Sequence, residues 1–74
     1  MEQTLRKIVA KIAETSQDFA PGANLREDLD VDSVRLIELI FEIERAFQVQ
    51  VPEGRYVNVR TFEDLLAFVK SIKQ

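Results

Sequence analysis

Apolar residues recur at helical spacing in three separate segments of the chain. In each segment they follow one another at intervals of three and four residues, which places them on one stripe of a helix. The first segment covers roughly residues 3–15, the second begins beside Asp32 and ends near Phe47, and the third begins after Thr61. The three stripes are Leu5, Ile8, Val9, Ile12 and Ala13; Leu36, Leu39, Ile40, Ile43 and Phe47; and Phe62, Leu65, Leu66, Val69 and Ile72. The pattern therefore predicts three main helices.

Polar residues stand where the second and third helices are predicted to begin. Asp32 is a favoured N-cap, because its carboxylate can accept a hydrogen bond from an unpaired N–H of the first turn. The Thr61 hydroxyl can cap the third helix in the same way, while Glu63 and Asp64 complement the positive end of the helix dipole. These residues support the predicted helix starts.

The segment between the second and third helices, QVQVPEGRYVNVR, contains Pro52 and Gly54, which interrupt any long helix. The alternation around Val49 and Val51 is typical of a strand, but a lone strand would have no partner to complete its ladder. We therefore expect an extended stretch followed by a short helical turn near residues 55–58.

The connection over residues 16–31 is longer than most loops of a small domain, and such loops are usually functional or disordered. Pro21 and Gly22 mark a turn in it. Its apolar residues, which we expect to anchor the loop on the helices, are Leu25, Leu29 and Val31. The predicted fold is all-α: one domain over residues 1–74, built as a small antiparallel bundle of three main helices plus one short helix.

Composition excludes several functions. The 74 residues include neither cysteine nor histidine, so disulfides, zinc–thiolate sites and serine–histidine–acid triads are ruled out. We therefore expect a protein that is not itself an enzyme. A net charge of −3 argues against nucleic acid as a partner. The charged, amphipathic start of the chain resembles neither a signal peptide nor a membrane span, so we expect a cytoplasmic protein without a membrane partner. We also expect a monomer.

The stretch DLDVDSVRLIEL places aspartates at alternate positions, as in a calcium-binding EF-hand loop that would start at Asp28. Asp30 and Asp32 fit its third and fifth positions. Its sixth position requires glycine and holds Ser33, and its twelfth requires glutamate and holds Leu39. A calcium loop is therefore disfavoured. Spacing alone leaves a simpler interpretation open, in which the first two aspartates are solvated, Asp32 caps a helix and Ser33 is an ordinary first-turn residue.

The longer stretch LREDLDVDSVRLIELIFEIERAFQVQVPE resembles the core of an acyl carrier protein. In that family an Asp-Ser-Leu motif opens the second helix, and a Glu-Leu pair follows five and six residues after the serine. Asp32, Ser33 and Val34 correspond to the motif here, and Glu38 and Leu39 to the pair. The likeness extends to Leu25, Glu27, Asp28 and Leu29 upstream, to Phe47, Val49, Val51 and Pro52 downstream, and to residues 61–72, which resemble the family's last helix.

This resemblance implies that Ser33 carries 4′-phosphopantetheine, attached covalently from coenzyme A, and that an acyl intermediate is held as a thioester on it. It also implies that Asp32, besides capping the helix, helps to position the metal and the cofactor during transfer. The implied partners are a magnesium-dependent phosphopantetheinyl transferase and enzymes that load, transfer or condense acyl groups. The arm would supply the thiol that the chain lacks, and its phosphate at a helix start would gain roughly 0.3 to 1 kcal/mol from the helix dipole.

The sequence departs from the family in three respects. Asp30 stands where the family usually has glycine, and Val34 where it usually has leucine. The third departure is charge, because carriers of fatty-acid synthesis have a strongly acidic second helix. Residues 33–74 here balance Glu38, Glu42, Glu44, Glu53, Glu63 and Asp64 against Arg35, Arg45, Arg55, Arg60, Lys70 and Lys73. Because these charges balance, the chain should be attracted less strongly over long distances to basic partner enzymes. We therefore expect a specialised carrier of fatty-acid-like, polyketide or other secondary biosynthesis.

The second helix also has a second apolar stripe, formed by Val34, Ile37 and Phe41. One interpretation buries this stripe in the core. The other makes it a docking patch for partner enzymes beside Ser33, rimmed by Arg35, Glu38 and Arg45. The two interpretations differ in whether Phe41 is exposed.

Two alternatives to an acyl carrier remain open at the level of sequence. One alternative is an aminoacyl or peptidyl carrier. Such carriers often have a histidine directly before the serine, whereas this chain has Asp32 at that position. An unmodified helical interaction module would keep the fold without the cofactor, although the intact pair of Asp32 and Ser33 argues against it.

Overall fold

A computed structural model describes the whole chain except Glu53, Arg55, Val57 and Gln74. Helix α1 spans Glu2–Ala13, α2 spans Ser33–Phe47 and α3 spans Phe62–Lys73. These bounds confirm the three predicted main helices, and the described residues contain no strand. The predicted short fourth helix is not confirmed, because Arg55 and Val57 lie outside the described residues. The Val59 N–H donates to the Tyr56 carbonyl at 3.1 Å.

The three apolar stripes pack into one core, as their spacing predicts. Each fully buried aliphatic or aromatic side chain contributes on the order of 1.5 to 3 kcal/mol relative to an exposed one. The fully buried residues are Leu5 and Val9 of α1, Leu39 and Ile43 of α2, and Phe62, Leu65 and Val69 of α3. Helices α1 and α2 run in opposite directions, since Glu14 pairs with Arg35 while Lys11 pairs with Glu42.

The long connection between α1 and α2 is anchored by its apolar residues, and the expected burial of Leu25, Leu29 and Val31 is confirmed. Its turn at Pro21 and Gly22 is confirmed as well, because the Ala23 N–H donates to the Ala20 carbonyl at 2.9 Å. Apolar anchoring explains how so long a loop stays ordered.

Arg6, a residue of α1, binds this loop through its guanidinium group. One guanidinium nitrogen, Nη1, donates to the carbonyls of Gln17 and Phe19, at 2.7 Å each. The guanidinium carbon lies 4.7 Å from the ring centroid of Phe19 and 4.8 Å from that of Phe62. With 13% of its side chain exposed, Arg6 is a partly buried cross-link between α1, the loop and the start of α3.

Backbone hydrogen bonds join the loop between α1 and α2 to the segment where α3 begins. The Leu25 N–H donates to the Arg60 carbonyl at 2.8 Å, and the Phe62 N–H donates to the Ala23 carbonyl at 3.1 Å. Asn24 and Thr61 form an isolated antiparallel bridge between these two bonds. We call this set of contacts the loop–α3 tie.

Thr61 and Asp64 form reciprocal hydrogen bonds that cap the start of α3. The Asp64 N–H donates to Thr61 Oγ1 at 3.1 Å, and the Thr61 N–H donates back to Asp64 Oδ2 at 3.2 Å, which confirms Thr61 as the cap. Hydrogen bonds from the N–H groups of Thr61 and Arg60 hold the pKa of Asp64 below its usual range. Throughout the described part of the chain, no helix is both long enough and apolar enough to cross a bilayer.

Candidate functional site

Ser33 is the first residue of α2, and it is exposed. Asp32 before it has extended backbone angles and accepts a hydrogen bond from the Arg35 N–H through Oδ1 at 2.9 Å, which confirms the predicted N-cap. The Leu36 N–H donates to the Asp32 carbonyl at 2.8 Å. Among the described groups, no protein acceptor faces the N–H of Ser33 or Val34. An exposed hydroxyl therefore lies beside two N–H groups that an anion could use.

The loop before Ser33 is shaped by its polar side chains. Asn24 Oδ1 accepts from the N–H groups of Arg26 and Glu27 at 2.9 and 2.8 Å, while Asp28 Oδ2 accepts from the Asn24 N–H at 2.8 Å. Asp30 has a φ of 57°, in the left-handed region. Asp28 is therefore a structural acceptor in a tight turn, and the interpretation of it as merely solvated is wrong.

The same geometry contradicts the calcium-loop interpretation. Residues from Ser33 onward are helical, so they cannot continue an open chelating loop. The carboxylates of Asp28 and Asp32 are directed to backbone N–H groups of two different turns. Within the described residues, no three acidic, histidine or cysteine side chains are close enough together to hold a metal ion.

An open cleft of about 450 Å³ lies beside Ser33, between the loop, the start of α2 and the segment that precedes α3. Its apolar lining consists of Leu25, Val31, Leu36 and Val59, with Tyr56 beside them. Its polar and charged lining consists of Asn24, Arg26, Glu27, Asp32 and Arg60. A flexible arm attached at Ser33 would thus find apolar and polar contacts next to its point of attachment.

The outward face of α2 carries the second apolar stripe. Val34 is 66% exposed, Ile37 50% and Phe41 59%, so the interpretation that buries them in the core is wrong. Glu38 and Arg45 are exposed along the same helix. Arg35 is half-buried, and one of its guanidinium nitrogens donates to Oε2 of Glu14, the residue that follows α1, at 2.9 Å. Such a pairing between helices leaves no signal in spacing, and sequence reasoning missed Glu14.

A groove between the end of α1 and the start of α2 was also not anticipated from the sequence. We call it the α1–α2 groove. It shares Asp32 with the cleft beside Ser33 and Val34 with the exposed stripe. Its other lining residues are Lys11, Ile12, Glu14, Arg35 and Glu38. Ser33 therefore stands close to the cleft, the exposed stripe and the groove.

The chain is similar to known proteins over most of its length. Residues 3–69 match the family model described as a phosphopantetheine attachment site. The acyl carrier protein of Rubrobacter xylanophilus is 34% identical, over 90% of this chain and 84% of the relative. The acyl carrier protein of Rickettsia bellii is 35% identical, over 99% of this chain and 91% of the relative.

A third relative, the acyl carrier protein of Amoebophilus asiaticus, is 33% identical over 85% of this chain and 79% of its own length. The residues around Ser33 fit the prosthetic group of the family, because an exposed hydroxyl, two available N–H groups and a cleft adjoin one another. The chain therefore belongs to the acyl carrier protein family of phosphopantetheine-binding domains, which carry a covalently attached 4′-phosphopantetheine.

Proposed function

We propose that Ser33 is the attachment residue for 4′-phosphopantetheine, and that the chain holds an acyl intermediate as a thioester on this arm for delivery to partner enzymes. The observation that carries the proposal is the exposed Ser33 hydroxyl at the first residue of α2, beside the N–H groups of Ser33 and Val34. These groups favour the phosphodiester anion once it has formed, by roughly 0.3 to 1 kcal/mol at an exposed helix start.

The chain's own contribution to attachment is a nucleophile and a fixed geometry. Ser33 Oγ would form a bond to the pantetheine-bearing phosphate of coenzyme A, lose its proton, and displace the nucleotide part as the leaving group. A base on the transferase would take this proton. Asp32 fixes the start of α2 through its bond to the Arg35 N–H, and so holds Ser33 in place. Asp32 would also help to position the magnesium ion and coenzyme A on the transferase.

Val34, Ile37 and Phe41 would form the docking patch for the transferase and for acyl-loading, acyl-transferring or condensing enzymes. Three exposed apolar side chains on successive turns of one helix are unusual for a surface without a partner. Glu38 and Arg45 would rim the patch, with Arg35 at its edge. The balanced charge of residues 33–74 weakens long-range attraction to basic enzymes, which favours a carrier with dedicated partners in a secondary pathway.

The test is the intact mass of the purified protein after incubation with coenzyme A, magnesium and a broad-specificity phosphopantetheinyl transferase. We expect wild type to gain one phosphopantetheine, and Ser33→Ala to gain none. Ser71→Ala is the matched control, because Ser71 is an exposed helical serine whose hydroxyl donates to the Phe68 carbonyl at 2.7 Å in the last turns of α3.

A gain in Ser33→Ala would overturn Ser33 as the attachment residue. No gain in wild type, while a known carrier is modified in the same assay, would favour an unmodified interaction module. Cargo would be tested next, by offering the modified protein to acyl-loading and to aminoacyl-loading enzymes. Loading by the aminoacyl enzymes alone would replace the acyl carrier with an aminoacyl or peptidyl carrier.

A further inference from the structure

The cleft beside Ser33 has an arginine on each of two walls. Arg26 belongs to the loop between α1 and α2, Arg60 belongs to the segment just before α3, and both residues are exposed. The Leu25 N–H donates to the Arg60 carbonyl at 2.8 Å, so the two walls meet one residue away from Arg26. The two guanidinium groups can therefore reach the same part of the cleft.

Neither of these arginines is neutralised by a close carboxylate. Among the described residues, no carboxylate oxygen lies within 4.0 Å of a guanidinium nitrogen of Arg26 or Arg60. The Asp64 carboxylate instead accepts from the backbone N–H groups of Arg60 and Thr61, at 3.2 Å each. Both positive charges are thus available to a ligand in the cleft.

The lining of the cleft also includes two carboxylates, those of Glu27 and Asp32. Asp32 directly precedes Ser33, so its charge acts at the proposed point of attachment. Away from that point the lining has two arginines and one carboxylate, which leaves positive charge in excess. An anionic group is favoured there, and a cationic group is not.

We propose that the cleft receives an acyl cargo with a carboxylate at its far end, and that Arg26 and Arg60 are the specificity-determining residues that bind this carboxylate. The inference rests on the proposed function and names the class of its cargo, a dicarboxylic acid joined to the arm through one of its carboxyl groups.

The rest of the lining fits the methylene groups of such a cargo. Leu25, Tyr56 and Val59 offer apolar surface beside the two arginines. Ion pairs at exposed sites are weak, but a cargo tethered at Ser33 has an effective concentration on the order of millimolar in the cleft. An uncharged acyl group would leave both arginines without a partner, and the ammonium of an aminoacyl group would be repelled by them.

The test is the pKa of the far carboxyl group of an adipoyl cargo, measured by carbon NMR with a label at that carboxyl. A transferase that accepts acyl-coenzyme A would install the adipoyl arm on Ser33. In roughly 0.01 M salt, we expect the pKa to be lower by about 0.5 to 1 on wild type than on the double variant Arg26→Gln with Arg60→Gln. The reason is that neighbouring cations favour the charged carboxylate.

The double variant Lys7→Gln with Lys70→Gln is the matched control, because it also removes two exposed cations, and these lie outside the lining of the cleft. We expect the cargo pKa on this variant to equal that on wild type. The difference between wild type and the arginine variant should disappear in roughly 1 M salt, where charges are screened within about 3 Å.

Amide chemical shifts would measure where the cargo lies. On wild type, adipoyl should shift the N–H signals of Leu25 and Val59 more than hexanoyl, a cargo of the same length without the second carboxylate. The arginine variant should lose this excess. Adipoyl signals that shift at Leu39 and Ile43 instead would place the cargo in the core and overturn the inference.

Equal cargo pKa values on wild type and the arginine variant would also overturn it. So would a lysine variant that raises the pKa as much as the arginine variant does, since net charge alone would then explain the effect. Each of these results requires the arm on Ser33 and leaves the proposed function intact. Failure of wild type to be modified would instead overturn the proposed function, and this inference with it.

Discussion

Single residues explain why this chain can depart from its family and keep the geometry around Ser33. Asp30 occupies a left-handed backbone position, with a φ of 57°, where the family usually has glycine. Aspartate and asparagine are the residues other than glycine that enter this region most readily. Aspartate can therefore adopt the left-handed backbone conformation that leads into Asp32 and Ser33.

Substitutions of Asp30 should separate backbone strain from side-chain chemistry. Asp30→Gly relieves the strain and should raise the free energy of unfolding by up to about 1 kcal/mol. Asp30→Val places a branched side chain in the same region and should lower it by about 1 to 2 kcal/mol. Urea denaturation would measure both changes. If Asp30→Gly were no more stable than Asp30→Val, the left-handed backbone at this position would not be the source of strain.

Asp32 combines a structural role, which the hydrogen bond to the Arg35 N–H supports, with a proposed role in transfer. Asp32→Ala removes the cap and should cost about 1 kcal/mol of stability. Asp32→Asn keeps a comparable cap but loses the charge, so it should unfold like wild type while accepting phosphopantetheine more slowly. Urea denaturation and the transfer assay would distinguish the roles. If Asp32→Asn were modified at the wild-type rate, Asp32 would be a cap alone.

The residues that sequence predicted correctly act over short distances along the chain. Asp32 and Thr61 cap the N–H three residues later, so their role can be seen in the local pattern. The position of Ser33 follows from the same cap. Arg6 lies outside the apolar stripe of α1, and Glu14 follows the last residue of that stripe, so the spacing assigns neither of them a role. Their partners are distant in sequence, so only the folded arrangement of α1, the loop and α2 reveals them.

At the scale of the element, α2 has two apolar stripes, one in the core and one on the surface. Leu39 and Ile43 are fully buried, while Val34, Ile37 and Phe41 are exposed on the opposite side. Apolar periodicity alone could not decide whether the second stripe is buried as well. The decision depends on the placement of α1 and of the loop, which cover one side of α2 and leave the other open.

Phe41→Glu should therefore leave the fold intact and weaken docking. Because Phe41 is 59% exposed, its replacement should change stability by no more than about 0.5 kcal/mol. The rate of transfer to Ser33 should fall, since a charge would replace apolar contact area. Leu39→Glu is the contrasting variant, since it buries an unpaired charge and should prevent folding. Circular dichroism and the transfer assay test both, and a Phe41→Glu variant that melts would place Phe41 in the core.

At the scale of the whole molecule, polar contacts outside the apolar core also join the three helices and the long loop. Arg6 is one of them, because it joins the loop carbonyls of Gln17 and Phe19 to the rings that pack near the start of α3. In a chain of 74 residues, whose core is small, such a cross-link accounts for a large share of net stability.

Arg6→Met keeps most of the side-chain volume but removes every donor and the charge. We expect it to lower the free energy of unfolding by about 1 to 3 kcal/mol, because two loop carbonyls lose their charged donor and two rings lose a cation. Lys7→Met is the matched control, an exposed cation of α1 that should change stability little. Denaturant unfolding would compare the two, and equal losses would contradict the role assigned to Arg6.

The loop–α3 tie makes one cooperative unit of two regions that are far apart in the sequence. Leu25 lines the cleft beside Ser33 and gives its N–H to Arg60, just before α3 begins, while Phe62 gives its N–H to Ala23. These amide protons should exchange with solvent in the same opening event, at a rate set by the detachment of α3. A partner that pulled α3 away would thus widen the cleft at a distance, without touching Ser33.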